Sequence, residues 1–425
     1  MRKYFFLLLS LSGLLTTQTV ISTEQGLTKE QEHVLTTSNQ DLFYNHVLKN
    51  PNVYQELVTY KNADLTLPSG KLLPNTSFEI TELRVNQQGI PIFKLKDNNF
   101  IVADKRFVFD DVVLSNEVVN KTVWIKKGFK LYEKPLVNNV KEVSSKLTSY
   151  SKVTISQVSK TNQGDFAYID GIGWISTEFI SDTDNRIDKV QELLTSKYQR
   201  ENLSIFVKQI DNDLTAGVNE DKEMYSASIT KLLYLYYSQK MINEGNYSLR
   251  SPLRYKEEVN DFSGAYETAG TGSLPKDADN KDYSVEDVIS RTAKESDNVG
   301  SNLLGYYLAN QSDERFHRTI DQLAGRHWDV EERDASTRMA SYVMEALYHQ
   351  GGFVLDSMLE TQFDNQRISK DIDVKVAHKI GDAYDFKHDV AVVYTDTPFI
   401  LSIFTEHSDY DTISQIAKDI YEVLK

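Results

Sequence analysis

The chain has 425 residues, 40% hydrophobic and 26% charged, with only 8 Pro and 19 Gly. That is length for about two to four folded units with a sizeable core, and it excludes a collagen-like, low-complexity or largely disordered protein. A formal charge of −15 argues against nucleic acid as a partner, and the absence of cysteine excludes disulfides, thiolate metal sites and a cysteine nucleophile.

The N-terminus reads Met1-Arg2-Lys3, then an apolar run from Tyr4 to Leu15, then small and polar residues: the layout of a secretory signal, placed at 1–23. The run is shorter than the ~20 residues of a spanning helix, and no later segment is apolar enough to cross a membrane. An exported protein is expected, secreted or held at the cell wall, with no integral span. Residues 27–65 read as a helical or extended lead-in. Short alternating runs follow at Ser77–Leu83, Ile90–Leu95 and Phe100–Val102, then at Thr122–Ile125, Thr148–Val158, Phe166–Ile169 and Trp174-Ile175. These predict two small β-barrels at 66–115 and 116–182, and the ends of the two sets align loosely, as a duplication would. The Gly173-Trp174-Ile175 end resembles bacterial SH3-like modules that bind cell walls, which implies peptidoglycan or a wall polymer as partner. The alternative is a pair of spacer barrels with Trp174 in a core.

From 186 the periodicity becomes mixed: a helix near Arg186–Tyr198, a strand at Leu203–Ile210, a long helical middle, strands at Val390–Tyr394 and Phe399–Phe404, and a last helix carrying Ile413, Ile416, Ile420, Val423 and Leu424. This predicts an α+β domain over 186–425, with an antiparallel sheet flanked by helices and a helical subdomain.

Three short stretches there could carry chemistry. Ser228-Ile-Thr-Lys231 sets a hydroxyl and an amine one helical turn apart, at the start of a helix apolar on nearly every face. A lysine buried there loses its charge more readily and can act as a base toward serine. Ser149-x-x-Lys152 has the same spacing in a strand-like stretch, where the two residues would not meet. Next, Ser296-Asp297-Asn298 follows a helix opened by the capping box Ser284-Val-Glu-Asp287; Ser296 can relay a proton and Asn298 can hold a substrate amide. Finally, His378-Lys379-Ile380-Gly381 precedes the closing strands, where Lys379 and Gly381 would bring charge and open backbone to a ligand. His378 and His388 on that rim read as structural. No histidine pattern supports a metal, Gly270-Thr271-Gly272 lacks the setting of a dinucleotide site, and no cofactor is expected.

Serine-x-x-lysine, serine-aspartate-asparagine and lysine-x-glycine in this order resemble the signature of class A β-lactamases and penicillin-binding proteins. The resemblance runs from about residue 200 to the C-terminus. It implies that Ser228 attacks a carbonyl to form an acyl-enzyme, Lys231 takes its proton and Ser296 shuttles a proton to the leaving nitrogen. Asn298 and Lys379 would bind substrate, the backbone N–H groups of Ser228 and Asp382 would form the oxyanion hole, and Tyr266 would line the cleft or sit in the core. Two departures stand out. Ile380 replaces the usual hydroxyl residue that helps to bind a carboxylate. The loop glutamate that activates the deacylating water has no counterpart beyond Asp329, Glu331 and Glu332. The expected function is a serine hydrolase acting on an amide, a peptide or a β-lactam; a true β-lactamase and a catalytically silent wall-binding scaffold stand as alternatives.

Overall fold

The computed structural model describes residues 42–136 and 140–425. The expected signal lies outside them, as does most of the first half of the lead-in. Two units separate: one holds most of the chain up to Ile180, the other Ser181–Lys425 together with Val123–Lys127 and Thr148–Lys152.

The first unit is all β among the described residues, apart from one turn of 3-10 helix. Strands β1 (Pro51–Val53), β2 (Leu57–Tyr60), β3 (Pro68–Leu72), β4 (Ile80–Val85), β5 (Pro91–Leu95), β6 (Phe100–Val102) and β7 (Val108–Asp110) form a five-stranded sheet, order β3-β2-β6-β5-β4, and a β1-β7 pair. Phe93, Leu95, Ile101, Ile80 and Val53 fill their core. The stretch read as a lead-in thus supplies the first two strands; they are too short for alternation to show in sequence. Strands β8 (Val113–Ile125), β9 (Leu131–Tyr132), β10 (Lys152–Thr161), β11 (Gly164–Ile169), β12 (Gly173–Ser176) and β13 (Ile180–Ser181) make a second sheet, order β13-β8-β10-β11-β12-β9. The boundary expected at 115/116 therefore falls inside β8. Both sheets are β-rich modules; an SH3-like barrel is a finer statement than the strand order gives.

The second unit begins with α1 (Arg186–Lys197), β14 (Leu203–Gln209), β15 (Thr215–Val218), β16 (Met224–Tyr225) and the 3-10 turn Ala227–Thr230, which runs into α2 (Lys231–Asn243). Then come β17 (Pro252–Arg254), β18 (Asp282–Ser284), α3 (Val285–Lys294), α4 (Asn298–Leu303), α5 (Glu314–Ala324), β19 (Asp334–Ala335), α6 (Thr337–Gln350) and α7 (Phe353–Ser357). Strands β20 (Val376–Ala383), β21 (Phe386–Val393) and β22 (Phe399–Glu406) and helix α8 (Tyr410–Leu424) close the chain. The main sheet is antiparallel, order β15-β14-β22-β21-β20. One face carries Val390, Val392, Ile400 and Phe404 into a core with α2, α3 and α6; the other carries Ile205, Val207, Ala391 and Leu401 against α1 and α8. With both faces covered, the strands lose polar alternation. That is why β20, holding His378-Lys379-Ile380-Gly381, reads in sequence as a stretch before the strands and is itself a strand. Among the described residues no helix is long and apolar enough to cross a membrane.

Candidate active site

Helix α2 buries Leu232, Leu233, Tyr234, Leu235 and Met241, so its first residue, Lys231, is carried fully out of solvent. Ser228 lies three residues earlier in the 3-10 turn, partly exposed, just after Ala227, whose φ is 50°. A left-handed alanine costs about 1–3 kcal/mol and here aims the turn that carries the serine.

The second stretch converges on the same lysine. Asp297 caps α4 by accepting from Gly300 N at 2.8 Å, and Ser296 sits before it at φ 57°, fully buried. Lys231 Nζ donates to Ser296 O and to Asn298 Oδ1, both at 2.6 Å, and lies 3.4 Å from Ser296 Oγ. From β20, Lys379 Nζ donates to Ser296 Oγ at 2.8 Å. The hydroxyl of Ser296 therefore stands between two lysines. Gly381 brings β20 against the serine's turn: a Cβ there would be 2.7 Å from Ser226 O and 2.8 Å from Ile229 Cγ1. Asp382 follows; its carboxylate accepts from Arg367 Nη2 at 2.6 Å and from the Tyr410 hydroxyl.

Burial pushes Lys231 well below the ordinary lysine range, and the charges of Lys379, Arg333 and Lys276 add to that against Asp297. Burial likewise brings Lys379 down to about 7, offset by Asp389 and reinforced by Arg367. A neutral Lys231 has two N–H bonds, and Ser296 O and Asn298 Oδ1 accept both, which leaves the nitrogen lone pair free to take a proton.

Lys231, Ser296, Asn298 and Lys379 are thus joined by hydrogen bonds, and the turn that carries Ser228 leads into Lys231 and packs against Gly381. Two of the expected substrate-side residues are held by protein groups. Asn298 was expected to face substrate, yet Oδ1 accepts from Lys231 and Thr271 while Nδ2 donates to Glu267 O, so one N–H is left over. Tyr266 takes the core alternative: it is 7% exposed, its hydroxyl donates to Ala227 O at 3.1 Å, and Lys231 Nζ lies 4.4 Å from its ring centroid. Sequence reasoning missed Thr271, which donates to Ser296 O at 2.7 Å. The flanking glycines were its signal, since they let the loop press against the motif. It also missed Arg333, whose guanidinium lies 4.0 Å from the Tyr266 ring centroid. Ser149 and Lys152 stay out of the site; the Lys152 ammonium lies over the Trp124 ring. His388 is neutral, held down to about 4 by burial, and accepts at Nδ1 from Thr405 N. Among the described residues no cluster of acidic and histidine side chains could hold a metal ion.

A model of the beta-lactamase enzyme family matches residues 185–424, more than half of the chain. The chain belongs to the beta-lactamase enzyme family. A domain of unknown function (DUF5776) matches residues 43–108. Among solved structures, this family member is similar to PBP-A, with 17% identity, TM-score 0.46 and coverage of 56% of this chain and 96% of that one. It is also similar to a beta-lactamase from Sphaerobacter thermophilus DSM 20745 (16% identity, TM-score 0.46, 56% and 95% covered). A third is the TLA-1 extended-spectrum beta-lactamase (18% identity, TM-score 0.45, 57% and 99% covered). No curated protein matches it in sequence.

Proposed function

We propose that this member of the family is an exported serine hydrolase that acylates Ser228 with an amide or peptide substrate, of the kind found in peptidoglycan. One observation carries the reading: Lys231, fully buried so that its charged form is disfavoured, donates to two carbonyl oxygens beside the Ser228 turn. Ser228 Oγ bonds to the substrate carbonyl carbon while its proton passes to Lys231. Ser296, whose hydroxyl accepts from Lys379 and lies 3.4 Å from Lys231 Nζ, gives its proton to the leaving nitrogen and takes back from protonated Lys231 the one that came from Ser228; the C–N bond breaks, and the acyl group stays on Ser228 as an ester. The contact of Gly381 with the Ser228 turn supports an oxyanion hole built from the N–H groups of Ser228 and Asp382, each worth about 3 kcal/mol.

Efficient β-lactam turnover is not part of the proposal. Asp329 accepts from the backbone of Glu331 and Glu332, Glu331 accepts from Ser263 Oγ at 2.6 Å, and Glu332 is exposed. The hydrogen bonds of Lys231 go to Ser296 and Asn298 and to none of these three, and the buried Ile380 has no hydroxyl to bind a carboxylate. The first unit is proposed as SH3-like wall-binding modules. The support is a row of half-buried aromatics on one sheet face, Tyr132 opposite Trp174 and Trp174 opposite Tyr168, across β9, β12 and β11.

Intact-mass measurement after treatment with a fluorophosphonate should show one adduct, on Ser228, abolished in Ser228→Ala. Absence of an adduct with any acylating probe would favour a silent scaffold. Chromogenic cephalosporin turnover above about one per second would instead favour a true β-lactamase.

A further inference from the structure

Tyr266 is pinned at its backbone and its hydroxyl. Its N–H donates to Asn302 Oδ1 at 2.7 Å and its carbonyl accepts from Asn302 Nδ2 at 2.8 Å, while the hydroxyl holds Ala227 O. The ring therefore has a fixed place beside Lys231. Arg333 has its side chain on that ring and its main chain on the nucleophile's turn. Nη2 donates to Gly264 O at 3.3 Å and Ala265 O at 3.0 Å, and Arg333 O accepts from Ser226 N at 2.8 Å and Ser226 Oγ at 2.7 Å. Thus the 329–333 turn brings a guanidinium onto the ring beside Lys231.

An aromatic face attracts a cation, and two cations near one ring compete for it. Arg333 is always charged, so the competition falls on Lys231. The other charged groups facing Lys231 are Lys379 from β20, Lys276 from the loop before β18 and Asp297 from the start of α4. Only Asp297 opposes the three cations.

We propose that Arg333, acting through the Tyr266 ring, is a positioning residue for acylation: it reserves the ring for a permanent cation and leaves Lys231 as the free amine beside Ser228. This rests on the acyl-serine reading above. A merely structural arginine would respond to loss of its hydrogen bonds; a charge acting on Lys231 responds to charge in graded fashion.

The test uses the full chain and a fluorophosphonate. Ser228 Oγ bonds to phosphorus, fluoride leaves, and the serine proton goes to Lys231. The rate of adduct formation is followed by intact mass from acid to alkaline pH, with melting temperatures checking the fold of each variant. Arg333→Lys should leave the acid limb of the rate in place. Arg333→Gln should move it up by about one pH unit, a rate about tenfold lower on the limb, and Arg333→Glu by about two. A limb that stays put in Arg333→Gln and Arg333→Glu, or that moves equally in Arg333→Lys, overturns the inference while the adduct itself upholds the acyl-serine reading. No adduct in the parent removes both.

Discussion

A methyl group at Gly272 would fall 2.1 Å from Asp297 Cγ, at a backbone φ of 111° that side chains resist. Asp297 caps α4 and accepts from Leu274 N at 2.8 Å, so it has nowhere to retreat without releasing one of these bonds. Gly272→Ala should therefore cost about 2 kcal/mol or more and displace Ser296 and Asn298 with it. A lowered melting temperature together with slower Ser228 labelling checks both. The effect on labelling is the informative half, because a remote lesion of equal cost would leave the folded fraction as reactive as the parent. Sequence gave the Ser228, Ser296 and Lys379 stretches because their chemistry is confined to a few residue types at fixed order. It did not give Thr271 or Arg333. Their parts depend on contacts between loops distant in sequence, which spacing within one segment does not encode; only the glycines flanking Thr271 hinted at one of them.

Strands β20 and β21 are tied to the 361–368 segment by a buried histidine. His378 Nδ1 donates to Asp389 Oδ2 at 3.0 Å, and Nε2 faces Asp364 Oδ1 at 3.1 Å and Thr361 Oγ1 at 2.9 Å. Burial opposes charge on the ring, but Asp389 and Asp364 outweigh it and hold the His378 pKa up to about 9. A folded pKa above the unfolded value means stability that is fully present below about 6.5 and lost as pH rises through about 9. Lys231 and Lys379, both depressed, act in the opposite sense across the alkaline range, so the parent's own profile mixes the contributions. The clean quantity is the difference in urea midpoint between the parent and His378→Gln. It should be largest near pH 6 and shrink steadily toward pH 9.5; a difference independent of pH would assign His378 to packing alone. The histidine was legible as structural, its charge was not: Asp389 lies on the neighbouring strand and Asp364 on a loop.

The two units differ in what holds them. In the second, α1 and α8 lie on the same sheet face, and Arg186 Nη1 donates to Leu424 O and Lys425 O, both at 2.9 Å, fastening the beginning of the unit to its end. Both of its cores are filled by residues from Ile187 onward, so residues 183–425 should fold without Val123–Lys127 and Thr148–Lys152, the two short segments that also cluster with this unit. A chain cut at 183 should unfold cooperatively and label at Ser228 within about twofold of the full-length rate, since the charges set against Lys231 all belong to this unit. The first unit offers the Tyr132–Trp174–Tyr168 row, with Tyr168 and Trp174 centroids 5.3 Å apart. Rings at strand spacing give a flat apolar surface with polar tips, suited to the faces of sugar rings or to peptide side chains in a wall polymer. Trp174→Ala in the full chain should cut co-sedimentation with purified cell walls about tenfold, as loss of one stacking residue does, and leave Ser228 labelling untouched. Unchanged sedimentation would return Trp174 to a packing role and the first unit to a spacer. Since neither outcome touches the acylation experiment, wall binding and catalysis stand or fall separately.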